Sequence, residues 1–283
     1  MTETMMTPLG HLWGVVLPRT ERPRSLILSR RHYTGRRHRQ GELARPVERA
    51  SHLIPPARLV TVVTRDTAAA AGSALATVPG LQRCLQPASR GTAPQLFLAA
   101  IRVLRQDARA VLAVLPADHL GGHGHRLMDE VGRAASAAAV RPDLPVLVGG
   151  DPGSRDPDGA WLEPGALVEG LEAYAVRAVR RVLARPSHAE RAAGLLGMLA
   201  VVTSARTLLE LGRHHLPDVL ECLEPLEDVA GRPEETLLCD AVWESMPRAS
   251  LSRDLLAHVD RLGVVSMSKA MSGERPVAPA LAS

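Results

Sequence analysis

Along the first half of the chain, short apolar segments of strand length alternate with stretches of helical period. Trp13–Leu17, Leu59–Thr64, Leu81–Gln86, Ala110–Leu115 and Val146–Gly149 read as buried strands. Thr92-Ala93-Pro94-Gln95 has the T-x-x-Q form of a capping box with proline in the first turn, and Leu96, Phe97, Ala100, Ile101 and Leu104 follow with a 3.6-residue period. Ser187-His188-Ala189-Glu190 is a second box of the S-x-x-E form, and Ser204 precedes Leu208, Leu209 and Leu211 on a third helix. Strand followed by helix, repeatedly, predicts an α/β fold: a Rossmann-like, mainly parallel sheet with helices on both faces, which binds ligands beyond the carboxyl ends of its strands.

Further along, Asp151 to Gly165 is rich in Gly, Pro and Asp and reads as a surface loop, and Tyr174–Leu183 as another strand. Gly231-Arg232-Pro233 interrupts a helical region. There is no internal repeat. The pattern predicts one main domain over residues 1–268, with a first half over about 11–150 and a more helical part over about 151–268, followed by a Pro/Ala tail at 269–283.

Composition changes this picture in three ways. Of 283 residues, 46% are hydrophobic and 23% charged, which supports a sizeable core and excludes disorder, collagen and a disulfide scaffold. Aromatic residues make up only 2%, so stacking platforms for single-stranded nucleic acid are absent and Leu, Val and Ala must fill the core. The 34 basic residues include a single lysine, Lys269, and there is no asparagine, the signature of a GC-rich coding bias under which Lys→Arg replacements carry little meaning.

The formal charge of +4 is local. Residues 1–50 hold ten Arg against four Glu, leaving −2 for the rest of the chain. Such a stretch suits phosphates, nucleic acid or a membrane surface, or is simply a solvated face; without a nucleic-acid module or interleaved aromatics, no nucleic-acid partner is expected. Cys84, Cys222 and Cys239 are odd in number and form no C-x-x-C pair, which fits a reducing cytoplasm. Met1–Leu17 lacks a basic leader region and the longest apolar run, Ala192–Val202, is too short for a bilayer, so no membrane association is expected.

Three segments fall at strand ends in a distinctive order. They are Gln86-Pro87-Ala88-Ser89-Arg90-Gly91-Thr92-Ala93-Pro94, then Leu115-Pro116-Ala117-Asp118-His119, then Ala160-Trp161-Leu162-Glu163-Pro164-Gly165. In that order the chain resembles the sugar-phosphate nucleotidyltransferases, in particular the mannose-1-phosphate guanylyltransferases, over roughly residues 11–268. The resemblance implies the nucleotide-diphospho-sugar transferase type of fold. It also implies an enzyme that joins a sugar 1-phosphate to a nucleoside triphosphate, GTP first, with release of pyrophosphate.

Such an in-line displacement builds charge on phosphoryl oxygens, which calls for Mg²⁺, carboxylates, cations and backbone donors. The resemblance places Asp118 on the Mg²⁺-binding aspartate, and Gln86, Arg90, Gly91 and Thr92 on the segment that meets the nucleotide. It places Glu163 on a glutamate that hydrogen-bonds the sugar. The plainer readings stand beside these: Asp118 as a turn residue, Gln86–Thr92 as a capped turn, Glu163 as a loop carboxylate.

Departures from the family pattern are equally specific. The glycine-rich loop of form G-G-x-G-x-R-L is replaced by Pro18-Arg19-Thr20-Glu21-Arg22-Pro23-Arg24, where Arg24 takes the signature arginine's place and every glycine is gone. Prolines offer no N–H, and side chains bar the backbone from phosphate. The lysine of P-K-Q becomes Arg39 and that of E-K-P becomes Arg185, each keeping a charge but not the point-like ammonium. The N-x-G-M pattern reads Leu195-Leu196-Gly197-Met198. The C-terminal S-D-W-G, which supplies the family's second metal carboxylate, is replaced around Ser268–Gly273, leaving Lys269 nearby.

Coding bias explains lost lysines but not lost glycines and aspartates, whose codons are GC-rich. Two readings follow: a guanylyltransferase using Asp118, Arg24, Arg39 and Arg185, or a relative that binds a nucleotide, a sugar nucleotide or a partner enzyme without turnover. A second copy of the chain or a catalytic paralogue is the protein partner either would take. The His-rich run Asp118–His125 lacks a neighbouring cysteine and reads as an active-site loop before a transition-metal site, while no G-x-S-x-G or Walker element supports a hydrolase or P-loop enzyme.

Overall fold

The computed structural model describes residues 8–17, 43–65, 68, 78–117, 124–150, 160–184, 186, 187, 190, 195–230 and 232–267. Its centre is a nine-stranded sheet of order β3-β2-β1-β4-β8-β5-β9-β7-β6. The expected strands form as β1 (Leu12–Leu17), β2 (Leu59–Thr64), β3 (Gln82–Gln86), β4 (Val111–Pro116) and β5 (Val146–Gly150). Pairing is parallel across β3-β2-β1-β4 and becomes mixed at β8 (Leu196–Ser204), which runs antiparallel to both β4 and β5.

The segment expected as a surface loop ends differently. Its last residues begin β6 (Ala160–Leu167), which pairs antiparallel with β7 (Arg177–Ala184), while 151–159 lie outside the described residues. Proline and glycine here did not prevent a strand because the β6–β7 register shifts at Pro164, which lets the ladder skip the missing N–H. β9 (Gly263–Ser266) pairs with β5 and β7, and β6 returns to the amino end of β8, so β8, β5, β9, β7 and β6 close into a ring.

Both faces of β1, β2 and β4 are buried, which is why these strands are largely apolar, whereas β3, expected as a buried strand, is an edge strand reading Gln82-Arg83-Cys84-Leu85-Gln86 and is only partly buried. Trp13, Val15 and Leu17 of β1 pack with Val60, Val62, Leu112 and Val114 against α2 (Thr92–Gln106), and α4 (Ala205–His215), α5 (Pro217–Glu227) and α6 (Glu235–Ser245) complete that layer. Leu12 and Val16 face the other way with Leu59, Val63, Ala113 and Leu115, against α1 (Ala44–Ala50) and α3 (Gly124–Val140). The alternation along β1 assigns successive side chains to opposite layers. No helix among the described residues is long and apolar enough to cross a membrane.

Helix starts show which local signals prevail. Ser204 caps α4 by accepting the Thr207 N–H, and the Ser187–Glu190 box makes both of its reciprocal bonds, Ser187 N to Glu190 Oε2 at 2.7 Å and Glu190 N to Ser187 Oγ at 3.2 Å. The T-x-x-Q box at Thr92 does not form. Gly91 is the N-cap of α2 without a side-chain bond, because Thr92 and Gln95 are both engaged elsewhere in the fold.

At the opposite end of α2, Asp107 accepts from His11 Nδ1 at 2.9 Å, Trp13 Nε1 at 3.0 Å and the Arg109 N–H at 3.0 Å. Burial pushes its pKa up, but these donors together outweigh it and hold the carboxyl below the usual range. A depressed pKa contributes stability that is present above the unfolded value, near 4, and lost as pH falls through the folded value. Asp107→Asn should therefore cost about 1 kcal/mol at neutral pH and flatten the acid side of the stability profile, read by urea melts from pH 7 downward. An unchanged acid limb would remove this carboxylate from the account.

Candidate active site

The order 3-2-1-4 contains a reversal. From β1 the chain steps outward to β2 and β3, then returns to place β4 on the other side of β1. α1, between β1 and β2, lies on one face, whereas α2, between β3 and β4, lies on the other. β1 to β4 run parallel, so their carboxyl ends share one edge of the sheet, and the strand order reverses between β1 and β4, the switch point at which doubly wound sheets take ligands. The exits are tied together: Leu17 pairs with Pro116, and the Ala117 N–H donates to Leu17 O at 3.0 Å. On the other flank, Thr64 pairs with Gln86.

Asp118 follows this edge immediately after Ala117 in sequence, and Arg24 and Arg39 follow β1; all three, with Arg185 and Lys269, lie outside the described residues. Among the described residues no group of three or more His, Cys, Asp or Glu is arranged to hold a metal.

Gln86, Arg90, Gly91 and Thr92 are brought to the strand exits as expected from their place after β3. Gln86 is 1% exposed and donates from Nε2 to Gln95 Oε1 at 3.0 Å, while its own Oε1 has no hydrogen-bond partner among the described residues. The next residues are stitched to the C-terminal part of the chain. Trp243 Nε1 donates to Ala88 O at 2.7 Å and Arg90 Nη2 to Trp243 O at 3.1 Å. The Ala249 N–H donates to Arg90 O at 3.0 Å and the Ala93 N–H to Ala249 O at 3.2 Å. The Leu251 N–H donates to Thr92 Oγ1 at 2.8 Å.

This clamp gives each residue type a packing reason. Gly91 adopts φ 98°, ψ −177°, and a Cβ there would be driven into the Ala249 carbonyl. The close backbone approach that glycine allows is thus made by the chain's own 249 peptide. Thr92 supplies an acceptor that valine would lack. Thr92→Val should cost about 1–2 kcal/mol by stranding the Leu251 N–H, with the loss read by urea melts; a neutral result would mean that water replaces the hydroxyl.

Glu163 sits on β6 directly opposite Arg181 on β7. It accepts from Arg181 Nε at 2.8 Å and lies 3.8 Å from Arg180 Nη1. Partly open to solvent, this cross-strand pair is worth little to stability and instead holds the carboxylate in place. Sequence reasoning missed Trp243, Ala249, Arg180 and Arg181. Nothing local marks the first two, and the Glu–Arg match appears only once the β6–β7 register is known.

These features define a class: the chain has the nucleotide-diphospho-sugar transferase fold, with the resemblance to sugar-phosphate nucleotidyltransferases holding at the level of architecture. Among solved structures it is similar to mannose-1-phosphate geranyltransferase from Thermus thermophilus, with 24% identity, TM-score 0.69, and 91% of this chain and 74% of that chain covered. It is also similar to mannose-6-phosphate isomerase from Helicobacter pylori, with 15% identity, TM-score 0.61, and 92% and 98% covered. No protein-family profile and no curated protein matches the chain.

Proposed function

We propose that the crevice at the β1/β4 switch point takes a nucleoside triphosphate and a sugar 1-phosphate, and that the reaction is nucleotidyl transfer of the mannose-1-phosphate guanylyltransferase type. A phosphate oxygen of the sugar 1-phosphate attacks the α-phosphorus, the bond to the bridging oxygen breaks, and pyrophosphate leaves. The reading rests on one observation: the tied exits of β1 and β4, on the same sheet edge as the end of β3, from which Asp118, Arg24 and the Gln86–Thr92 segment follow in sequence. GTP is the nucleotide and mannose 1-phosphate the sugar that the sequence resemblance favours.

In this proposal Gln86 to Thr92 border the nucleotide, with the unpartnered Gln86 Oε1 as an acceptor, and Glu163 orients a sugar hydroxyl. Arg24, Arg39 and Arg185 neutralise phosphoryl oxygens, whose charge a guanidinium fork matches. Asp118 is the residue that would hold Mg²⁺, the ion that screens the triphosphate's charge when bound. The cytoplasm, with its nucleoside triphosphates, is the proposed setting.

A specific observation favours a second reading, binding without turnover. Arg90, Gly91 and Thr92 are already committed to the 243–251 clamp, and the first loop has prolines where phosphate-binding glycines would stand. One experiment decides. Purified protein is incubated with Mg²⁺, GTP and mannose 1-phosphate while pyrophosphate is followed and GTP binding is measured by calorimetry. Turnover abolished by Asp118→Ala supports transfer, saturable GTP binding without pyrophosphate supports the second reading, and neither binding nor product refutes both.

A further inference from the structure

A cavity lined by described residues lies away from the strand exits. It is an open hollow of about 270 Å³ between the last turn of α2, α4 and the end of α5. The sheet fixes its position. α4 begins directly after Ser204, which pairs with Val111 at the amino end of β4, and the Ala205 N–H donates to Ala110 O at 2.9 Å. The β1/β4 switch point is at the other end of this six-residue strand, roughly 20 Å away.

Half-buried Leu104 and exposed Ala108 give the hollow its accessible apolar lining, over the buried Ile101 and Leu209. Three arginines converge on it from two helices, Arg105 from α2 and Arg206 and Arg213 from α4. Arg206, Leu209 and Arg213 recur at helical spacing and so share one stripe of α4. Glu227 accepts from Arg213 Nη2 at 3.0 Å. The side chains of Arg105 and Arg206 have no ion-pair partner among the described residues. Three guanidinia against one carboxylate leave two positive charges around an apolar lining.

We propose that this hollow is a second ligand site, for a small phosphate monoester with an apolar substituent. A phosphate dianion balances the two excess charges, and guanidinium forks match its oxygens in pairs. An apolar substituent would displace water from Leu104 and Ala108, the solvent-accessible apolar residues of the lining. The volume suits a molecule of the size of a substituted phenyl phosphate and is small for a nucleoside triphosphate. The assignment is independent of the nucleotide reading, since no residue is shared between the two sites.

The test is calorimetric titration of the full chain with phenyl phosphate, beside inorganic phosphate and benzoate. Phenyl phosphate should bind saturably and at least about tenfold more tightly than either comparison ligand, and Arg105→Gln with Arg206→Gln should weaken it by at least about tenfold. Glu227→Gln, which removes the opposing charge, should strengthen it, a change of sign that general damage to the fold would not produce. Saturating GTP should leave it in place. Equal binding of inorganic phosphate, indifference to the arginine substitutions, displacement by GTP or no saturable binding each overturns the site; circular dichroism confirms that the variants remain folded.

Discussion

Gly91→Ala should destabilise the protein by roughly 3–5 kcal/mol, the largest expected effect of a single added methyl group among the described glycines. Two terms combine. The residue occupies φ 98°, ψ −177°, a region that only glycine enters freely, at a cost of about 1–3 kcal/mol for any other residue. The new Cβ would also collide with the backbone carbonyl of Ala249, which is itself held by hydrogen bonds with Arg90 and Ala93 and cannot swing aside. Gly170→Ala is the control: its φ is 79°, but a Cβ there meets nothing within 4 Å, so it isolates the conformational term at about 1–2 kcal/mol. Urea melts of both variants give the comparison. Should the two lose equal stability, the 249 peptide is not what demands glycine at position 91.

Glu235→Ala should cost about 3–4 kcal/mol, by stranding a charge that the fold has drawn out of water. Glu235, on α6, is 4% exposed at its side chain and takes a two-pronged bond from Arg102 on α2, Nη2 to Oε2 at 2.7 Å and Nε to Oε1. Arg102 Nη1 also donates to the Arg83 carbonyl at 2.8 Å, so one guanidinium joins α2, α6 and β3. Burial lifts the adjacent Cys84 thiol to about 12, against the pull of Arg102, which keeps a second negative charge out of this space at neutral pH. The double substitution Arg102→Met with Glu235→Leu should recover most of the loss, because apolar side chains need no compensation for lost hydration. A double-mutant cycle by denaturant unfolding measures the coupling. Additive single losses would show that the pair acts as two independent residues.

Both substitutions bear on the same structural question. The turn after β3 with α2, and the helices of residues 205–258, are fastened to each other, at Gly91–Thr92 on one side and at Arg102–Glu235 on the other. In the transfer reading this fixes the turn before any nucleotide arrives. In the binding reading it is the reason the turn persists without catalysis. The Asp118→Ala assay separates these, since neither fastening includes Asp118.

The apolar runs alone determined β1, β2, β4 and β5, because a strand buried on both faces must be largely apolar, and side chains such as those of Val15 and Val16 have no solvated side to occupy. The helical period from Leu96 to Leu104 likewise placed α2, and Ser204 and Ser187 acted as the local capping chemistry dictates. The position of Gln86–Thr92 at a strand exit was legible for the same reason: strand ends are where apolar runs stop.

What those residues touch was not legible. Thr92 and Gln95 carry a capping-box signature, yet their partners are Leu251 and Gln86, and only the folded chain brings residue 251 within reach of residue 92. Pro164 and Gly165 read as loop until a register shift in the β6–β7 ladder accommodated them. Local propensity depends on neighbours a few positions away, so a sequence can specify where elements begin and which faces are apolar. Hydrogen bonds such as Leu251–Thr92 and Arg102–Glu235 join positions more than a hundred residues apart, and the side chain with the better long-range partner leaves its local one. Folding in three dimensions therefore set the clamp, the paired state of Glu163 and the arginine-rimmed hollow, whereas the layered α/β frame that carries them follows from the order of residues along the chain.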